Sequence, residues 1–241
     1  MSLVALITGA SGGIGAAVAR RLAEEGYAVA LQYHKNRAAA EALASSLPED
    51  TSYCIVSCDL NNSEETTVMV NTIHRYLGRI SLVVHCAGIA PRQKLFSETD
   101  DAEIRNVFET DVFSAMRLTR LLNNDLRATQ GTVITVSSMW GIVGASCEVL
   151  YSSAKAALIG FTKALAKELG PEGVRVNCVA PGMIRTAMNA HLSEEDMKAF
   201  RRETPLERIG KPEDVAQAVA YLVQAPFVTG QVLSVDGGIV I

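Results

Sequence analysis

The chain has 241 residues, 49% of them hydrophobic, and a formal net charge of −4. That length suits one large α/β domain or two smaller ones, and the apolar content supports a sizeable core. The negative balance argues against a nucleic-acid partner, because phosphates are held mainly by Lys and Arg. No apolar run nears the roughly 18 residues of a membrane span, and residues 3–7 lack the length and basic flank of a signal peptide. A cytoplasmic chain that does not enter a membrane is expected.

The first apolar run, residues 3–7, leads into Thr8-Gly9-Ala10-Ser11-Gly12-Gly13-Ile14-Gly15. Val18, Arg21, Leu22 and Glu25 continue at helical spacing. This reads as a strand, a glycine-rich turn and a helix. Missing Cβ atoms let backbone N–H groups approach a pyrophosphate, and the helix N-terminus adds favourable partial charge. The spacing is GxxxGxG, not the GxGxxG of the dinucleotide fingerprint, and glycine also serves turns for purely structural reasons. Further strands are expected at 27–33, 53–57, 82–86, 132–137, 175–179 and 232–235. Helices are expected to start near Gly13, Arg37, Ser63, Asp101, Tyr151, Glu194 and Pro212, the last with proline at N1 and two acids in its first turn. Such alternation implies a parallel sheet covered on both faces. No linker or repeat interrupts it. The reading is an α/β fold: a single Rossmann-like doubly wound domain over 1–241, its seven-stranded parallel sheet flanked by helices, with ligands at the carboxyl ends of the strands.

Ser138, Tyr151 and Lys155 lie in VSSMWGIVGASCEVLYSSAK, a strand end, a loop and a helix start. Tyr151 and Lys155 are four apart, so on a helix they share a face at about 5–6 Å. A free tyrosine hydroxyl ionises near pH ~10, too high for efficient proton transfer at neutral pH, and an ammonium beside it favours the phenolate. Ser138 can hydrogen-bond a carbonyl oxygen placed between it and Tyr151. A tyrosine and a lysine at this spacing also occur in many helices by chance, so the motif gains meaning from its company. Cys54, Cys58, Cys86, Cys147 and Cys178 are scattered, with no CxxC pair; buried free thiols are expected, since Cys54 and Cys58 on one strand would stand about 13 Å apart. His34, His74, His85 and His191 lack metal-ligand spacing, and no metal is expected.

Together these segments resemble the short-chain dehydrogenase/reductase (SDR) family over nearly the whole chain. Residues Thr8 to Gly15, with Gly9, Ser11, Gly12, Gly13, Ile14 and Gly15, look like its cofactor loop. Asp59-Leu60 looks like its adenine-contacting pair, Ala87-Gly88 like the end of its Asn-Ala-Gly motif, and Ser138, Tyr151 and Lys155 like its catalytic residues. Asn177 with Pro181-Gly182, Ile184 and Thr186 looks like the nicotinamide-side segment, and Val235-Asp236-Gly237-Gly238 like the C-terminal signature. There are departures. Asp111 stands where the family often has a catalytic asparagine, and would add a negative charge near Lys155. Cys86 replaces the asparagine of Asn-Ala-Gly. Gly12 departs from the basic residue that many NADP-preferring relatives carry.

The resemblance implies hydride transfer from a nicotinamide to a carbonyl carbon, with Ser138 holding the oxygen, Tyr151 giving the proton and Lys155 binding the nicotinamide ribose. Where NAD users carry an acid after the second strand, this chain has His34, then Lys35 and Arg37, which favours NADP(H) over NAD(H); a merely solvated helix start is the alternative. Residues 187–211 would form a substrate lid, with Arg201, Arg202 and Arg208 in it. Trp140 would line the substrate site beside Ser138 and Tyr151, or else only pack beneath its loop. The broadest resemblance is to 3-oxoacyl-(acyl-carrier-protein) reductases, NADPH-dependent and usually tetrameric, which implies an acyl-thioester substrate carried on a protein. A homotetramer is expected, built on the helices around 101–126 and 151–169 and on the C-terminal segments. Thr129-Gln130 and Glu172 replace basic residues expected for carrier docking. The stretch from Trp140-Gly141 through Gly144 to Val149 resembles a bacterial branch that reduces a 5-aminopentanone modification on elongation factor P. A non-catalytic NADP(H)-binding sensor or scaffold is a further alternative, opposed by the intact Ser138, Tyr151 and Lys155.

Overall fold

The computed structural model describes residues 3–190 and 192–241; His191, within the expected lid and among the four histidines considered as ligands, lies outside the described residues. In chain order the elements are β1 (Val4–Thr8), α1 (Gly13–Glu24), β2 (Ala28–Tyr33), α2 (Arg37–Ala44), β3 (Tyr53–Ser57), α3 (Ser63–Tyr76), β4 (Leu82–His85), α4 (Asp101–Phe108), α5 (Ser114–Leu121), α6 (Asn123–Thr129), β5 (Thr132–Val136), α7 (Trp140–Val143), α8 (Val149–Leu169), β6 (Arg175–Pro181), α9 (Glu194–Glu203), α10 (Pro212–Gln224) and β7 (Val232–Val235). The strands form one sheet in the order β3-β2-β1-β4-β5-β6-β7. Every neighbouring pair is parallel.

Strand β1 reads VALIT and is buried throughout. Successive side chains point to opposite faces, so both faces of such a strand need an apolar cover. Ile7 joins Val18 and Leu22 of α1, Leu43 of α2 and Val215 and Val219 of α10 on one face. Leu6 joins Met69 and Ile73 of α3, Leu118 of α5, Leu126 of α6 and Ala166 of α8 on the other. The fold is thus Rossmann-like and doubly wound. The order reverses between β1 and β4, and the loops leaving their carboxyl ends diverge to open the crevice where such sheets bind ligands.

The boundaries differ modestly from those read in the sequence. β6 runs on to Pro181, because Ser234 and Val235 of β7 pair with Ala180 and Pro181, and α8 begins two residues before Tyr151. The stretch after Asp101 is not one helix. A π-helical turn over Glu109–Phe113 separates α4 from α5, and it turns both Asp111 and Val112 inward. Such one-residue insertions concentrate at functional sites. Short α7 has no counterpart in the expected elements. All five cysteines are free, but only Cys58 and Cys178 are buried; Cys54, Cys86 and Cys147 are half-buried. Burial pushes the Cys54 and Cys58 thiols up to about 11. Among the described residues no group of three or more His, Cys, Asp or Glu is placed to hold a metal ion, and no helix is long and apolar enough to cross a membrane.

Candidate active site

A cavity of about 690 Å³ runs along the carboxyl ends of β1, β2 and β3, lined by Gly9, the Ser11 to Gly15 loop, Gln32, His34, Lys35, Asp59, Leu60, Ala87 and Gly88. The start of α1 faces it. Gly12 caps that helix without a side-chain hydrogen bond, and the first turn has no acid, so the free N–H groups and the positive helix end are available to an anion. Gly9 sits at φ +63, and a Cβ there would come within 2.9 Å of the Ala87 Cα. Only glycine lets the loops after β1 and β4 approach so closely.

Gln32 is a member of this wall that the sequence motifs did not reveal. It is 2% exposed; its Oε1 accepts from the Gly9 N–H at 2.8 Å and its Nε2 donates to the Cys58 carbonyl at 2.8 Å. It therefore fixes the glycine loop to the end of β3. Its signal was an amide in an otherwise apolar run, AVALQY. At the distal end His34 and Lys35 line the cavity with Asn36. Arg37 does not join them, since its Nε pairs with Glu41 at 2.7 Å. Asp59 accepts from the Asn61 N–H at 3.0 Å and stands 4.0 Å from His34. The departure at Cys86 is resolved by Thr8, whose hydroxyl accepts from the N–H groups of both Cys86 and Ala87 at 3.1 Å. Burial, opposed by Lys155, pushes the Cys86 thiol up to about 12, so it is no nucleophile at neutral pH.

A second cavity, about 130 Å³, adjoins the first and shares Ile14, Cys86, Gly88, Thr186 and Met188 with it. Ser138, Trp140, Tyr151, Lys155, Pro181, Gly182 and Ile184 line it. The structure thus brings the serine at the end of β5 and the tyrosine and lysine of α8 into one space. Ser138 Oγ accepts from the Trp140 N–H at 3.2 Å, and Lys155 Nζ lies 5.4 Å from the centre of the Tyr151 ring. Asn177 is not at this site. It is fully buried in β6, donating to the Val228 carbonyl and accepting from the Gln231 N–H, and so anchors the segment that Pro181 ends.

Asp111 lines neither cavity; it stands behind Lys155. Its Oδ1 accepts from the Ile89 N–H at 2.8 Å, and its Oδ2 lies 3.0 Å from Lys155 Nζ. That approach is off the line of a good hydrogen bond, which leaves Oδ2 with no hydrogen-bond partner, so the contact is an ion pair. Burial disfavours the Lys155 ammonium, but Asp111 and then Tyr151 outweigh it and hold its pKa above the ordinary lysine value. Lys155 also donates to the Val136 carbonyl at 3.4 Å.

A family model described as enoyl-(acyl carrier protein) reductase matches residues 9–240. The chain belongs to the short-chain dehydrogenase/reductase family. Carbonyl reductase family member 4 from Danio rerio is 37% identical over 239 residues, covering 99% of this chain and 98% of that protein. An oxidoreductase named YmfI from Bacillus subtilis (strain 168) is 39% identical over 243 residues, covering 99% of each. A 3-oxoacyl-(acyl-carrier-protein) reductase from Bos taurus is 38% identical over 240 residues, covering 99% and 98%. Among solved structures, an SDR described as glucose/ribitol dehydrogenase from Brucella melitensis superimposes with a TM-score of 0.93 at 31% identity, covering 99% of this chain and 97% of that one. As an SDR the chain is an oxidoreductase acting on carbonyl or alcohol groups, and its family uses a nicotinamide cofactor. The larger cavity fits such a dinucleotide: a glycine-rich cradle at a helix N-terminus suits the pyrophosphate, and the adjoining cavity continues to Tyr151 and Lys155.

The Asp111–Lys155 pair yields a stability test. Removing one partner strands a buried charge, so Asp111→Ala should cost about 3 kcal/mol, whereas Asp111→Ala combined with Lys155→Met should cost less than Asp111→Ala alone. Denaturant unfolding of the three variants measures the coupling. Because the folded pKa of Lys155 is raised above its ordinary 10.5, the pair's contribution is complete below that value and is lost only as pH rises through the folded one. The parent should accordingly draw the same stability from the pair at pH 7 and pH 9, whereas the penalty for Asp111→Ala should shrink as pH rises and the stranded ammonium, disfavoured by burial, gives up its proton.

Proposed function

We propose that this SDR uses NADP(H) to reduce the ketone of a 3-oxoacyl group carried on acyl-carrier protein, in the cytoplasm, as a homotetramer. The observation that carries the reading is the meeting of Ser138, Tyr151 and Lys155 in one small cavity that opens from a dinucleotide-sized one. The substrate class is supported by relatives named 3-oxoacyl-(acyl-carrier-protein) reductase and by the apolar wall of Met183, Leu192, Phe200 and Trp140, which suits an acyl chain. Met188, Leu192 and Phe200 reach the cavity from 187–211, in keeping with a lid. NADP(H) is supported by His34, Lys35 and Asn36 at the end of β2, where a carboxylate would repel a ribose 2′-phosphate. The exposed apolar side chains of Phe113, Leu121, Tyr221, Phe227 and Ile241 suit assembly.

When bound, the nicotinamide supplies a hydride to the carbonyl carbon. The α1 N-terminus and the glycine loop would hold the pyrophosphate, and Lys155 the nicotinamide ribose. Ser138 Oγ–H donates to the carbonyl oxygen, where negative charge develops. Tyr151 delivers the proton that completes the alcohol. Lys155, fixed by Asp111 and the Val136 carbonyl, keeps a positive charge beside the phenol as its proton leaves. Thr186 and Pro181 close the nicotinamide side, and Trp140 helps to exclude water.

Tyr151→Phe keeps the ring but removes the donor. Reduction should fall about a thousandfold, while NADPH affinity, read by fluorescence titration, stays near the parent value; retained turnover would refute the assignment. The parent protein should show higher kcat/KM with NADPH than with NADH, and His34→Asp should shift that ratio toward NADH. Equal use of both cofactors by the parent would sink the NADP(H) reading. Side-by-side kinetics with a 3-oxoacyl thioester, its carrier-protein form and ketone-modified elongation factor P tests the substrate. Sedimentation velocity at micromolar concentration should find a tetramer; a monomer there would refute the assembly.

A further inference from the structure

The smaller cavity contains an unanswered charge. Its lining includes one lysine and one acidic side chain, Lys155 and Glu148. The ammonium of Lys155 is matched by Asp111 at 3.0 Å. Glu148 forms no ion pair among the described residues, and its side chain has a single hydrogen bond, from the neutral Gln93 amide at 2.8 Å. Of the two cations that line a neighbouring cleft with Glu148, Lys94 is engaged with Glu103 at 2.7 Å, and Arg92 lines that cleft, not the smaller cavity, and forms no ion pair with Glu148. Arg201 and Arg202 do not line the cavity.

The placement of Glu148 is also unusual for its backbone role. It occupies the N-cap of α8, where a short oxygen-bearing side chain normally folds back onto the free N–H groups. It makes no such bond. Its longer chain is turned to Gln93, both residues line the cavity, and Glu148 lies three positions before Tyr151. Pro91, Trp140, Met183, Leu192 and Phe200 give the wall an apolar share, beside the uncharged polar Ser138, Tyr151, Thr186 and Asn189. The Glu148–Gln93 contact lies at the exposed rim of the cavity, where a carboxylate is partly screened by solvent yet still acts on a charge the substrate carries beside it.

We propose that Glu148 makes the site charge-selective, so that it favours ketones bearing a cationic group, admits neutral esterified or thioesterified ones, and rejects free oxo acids. This rests on the ketone-reductase reading above. It assigns the esterified state of a 3-oxoacyl group a role in entry, because masking the carboxyl removes the charge that Glu148 repels. An ammonium on the chain would gain from the same contact.

Three methyl ketones of matched chain length test the idea: one ending in trimethylammonium, its tert-butyl isostere and one ending in carboxylate. With NADPH, the parent protein should reduce the cation at least about tenfold more efficiently in kcat/KM than the carboxylate, with the neutral ketone between them. Calorimetric affinities for the protein saturated with NADP+ should follow the same order. Glu148→Gln keeps the Gln93 hydrogen bond and should bring the cation-to-carboxylate ratio to within about twofold of one. Glu148→Asp keeps the charge and should keep the order, and Glu148→Lys should invert it. A parent ratio near one, or a Gln variant that keeps the parent ratio, would overturn the proposal while leaving the reductase reading intact. Binding in the expected order without reduction of any ketone would sustain charge selection and overturn the reductase reading instead.

Discussion

One buried ammonium organises the reacting end of this molecule. Taking Lys155 out of water is costly unless its charge is answered nearby. Asp111 answers it at 3.0 Å, and the Val136 carbonyl accepts from it at 3.4 Å. The backbone of the same residue is fixed as well, since Ser137 Oγ donates to the Lys155 carbonyl at 2.7 Å. These contacts join α8, the end of β5 and the turn between α4 and α5. That turn must be π-helical to aim Asp111 inward, and the loop after β4 must pass without a side chain. A Cβ on Gly88 would stand 2.8 Å from Asp111 Oδ2 and 3.1 Å from Lys155 Nζ. The π turn, the small residue after β4 and the position of Tyr151 one turn before Lys155 are therefore parts of a single solution.

The reversal of strand order at β1 and β4 explains why the two cavities adjoin. The loops after these strands part to form the crevice, and Cys86 and Gly88 then serve as wall to both cavities. Charge is distributed unevenly along this path. The end at β2 carries His34 and Lys35, the middle offers the positive end of α1, and the end at Tyr151 holds Lys155 paired with Asp111, with Glu148 outside any ion pair among the described residues. Under the proposed function, an anionic cofactor would lie toward the first end and a neutral or cationic ketone toward the last.

Much of this was legible in the amino-acid sequence, because it rests on local rules. Alternation of apolar strands with amphipathic helices implies a covered parallel sheet without knowledge of any contact. The glycine loop, the acids at the start of α10 and the four-residue spacing of Tyr151 and Lys155 are likewise properties of short segments. The strand edges moved by a residue or two, as expected where pairing with a neighbour decides the boundary.

What the sequence by itself determined was the architecture, the glycine loop and the pairing of Tyr151 with Lys155, since each depends on neighbours within a few positions along the chain. The tertiary structure alone decided what surrounds them. It placed Gln32 between Gly9 and Cys58, gave Thr8 the support of the β4 end in place of an asparagine at Cys86, and withdrew Asn177 into the core. It also set Asp111 against Lys155 and left Glu148 unanswered. Each of these turns on which partner a polar side chain finds across a distance of 23 to 79 positions in the chain. Spacing in the sequence carries no record of that choice, because it is made by packing and by the cost of leaving a buried polar group without a partner.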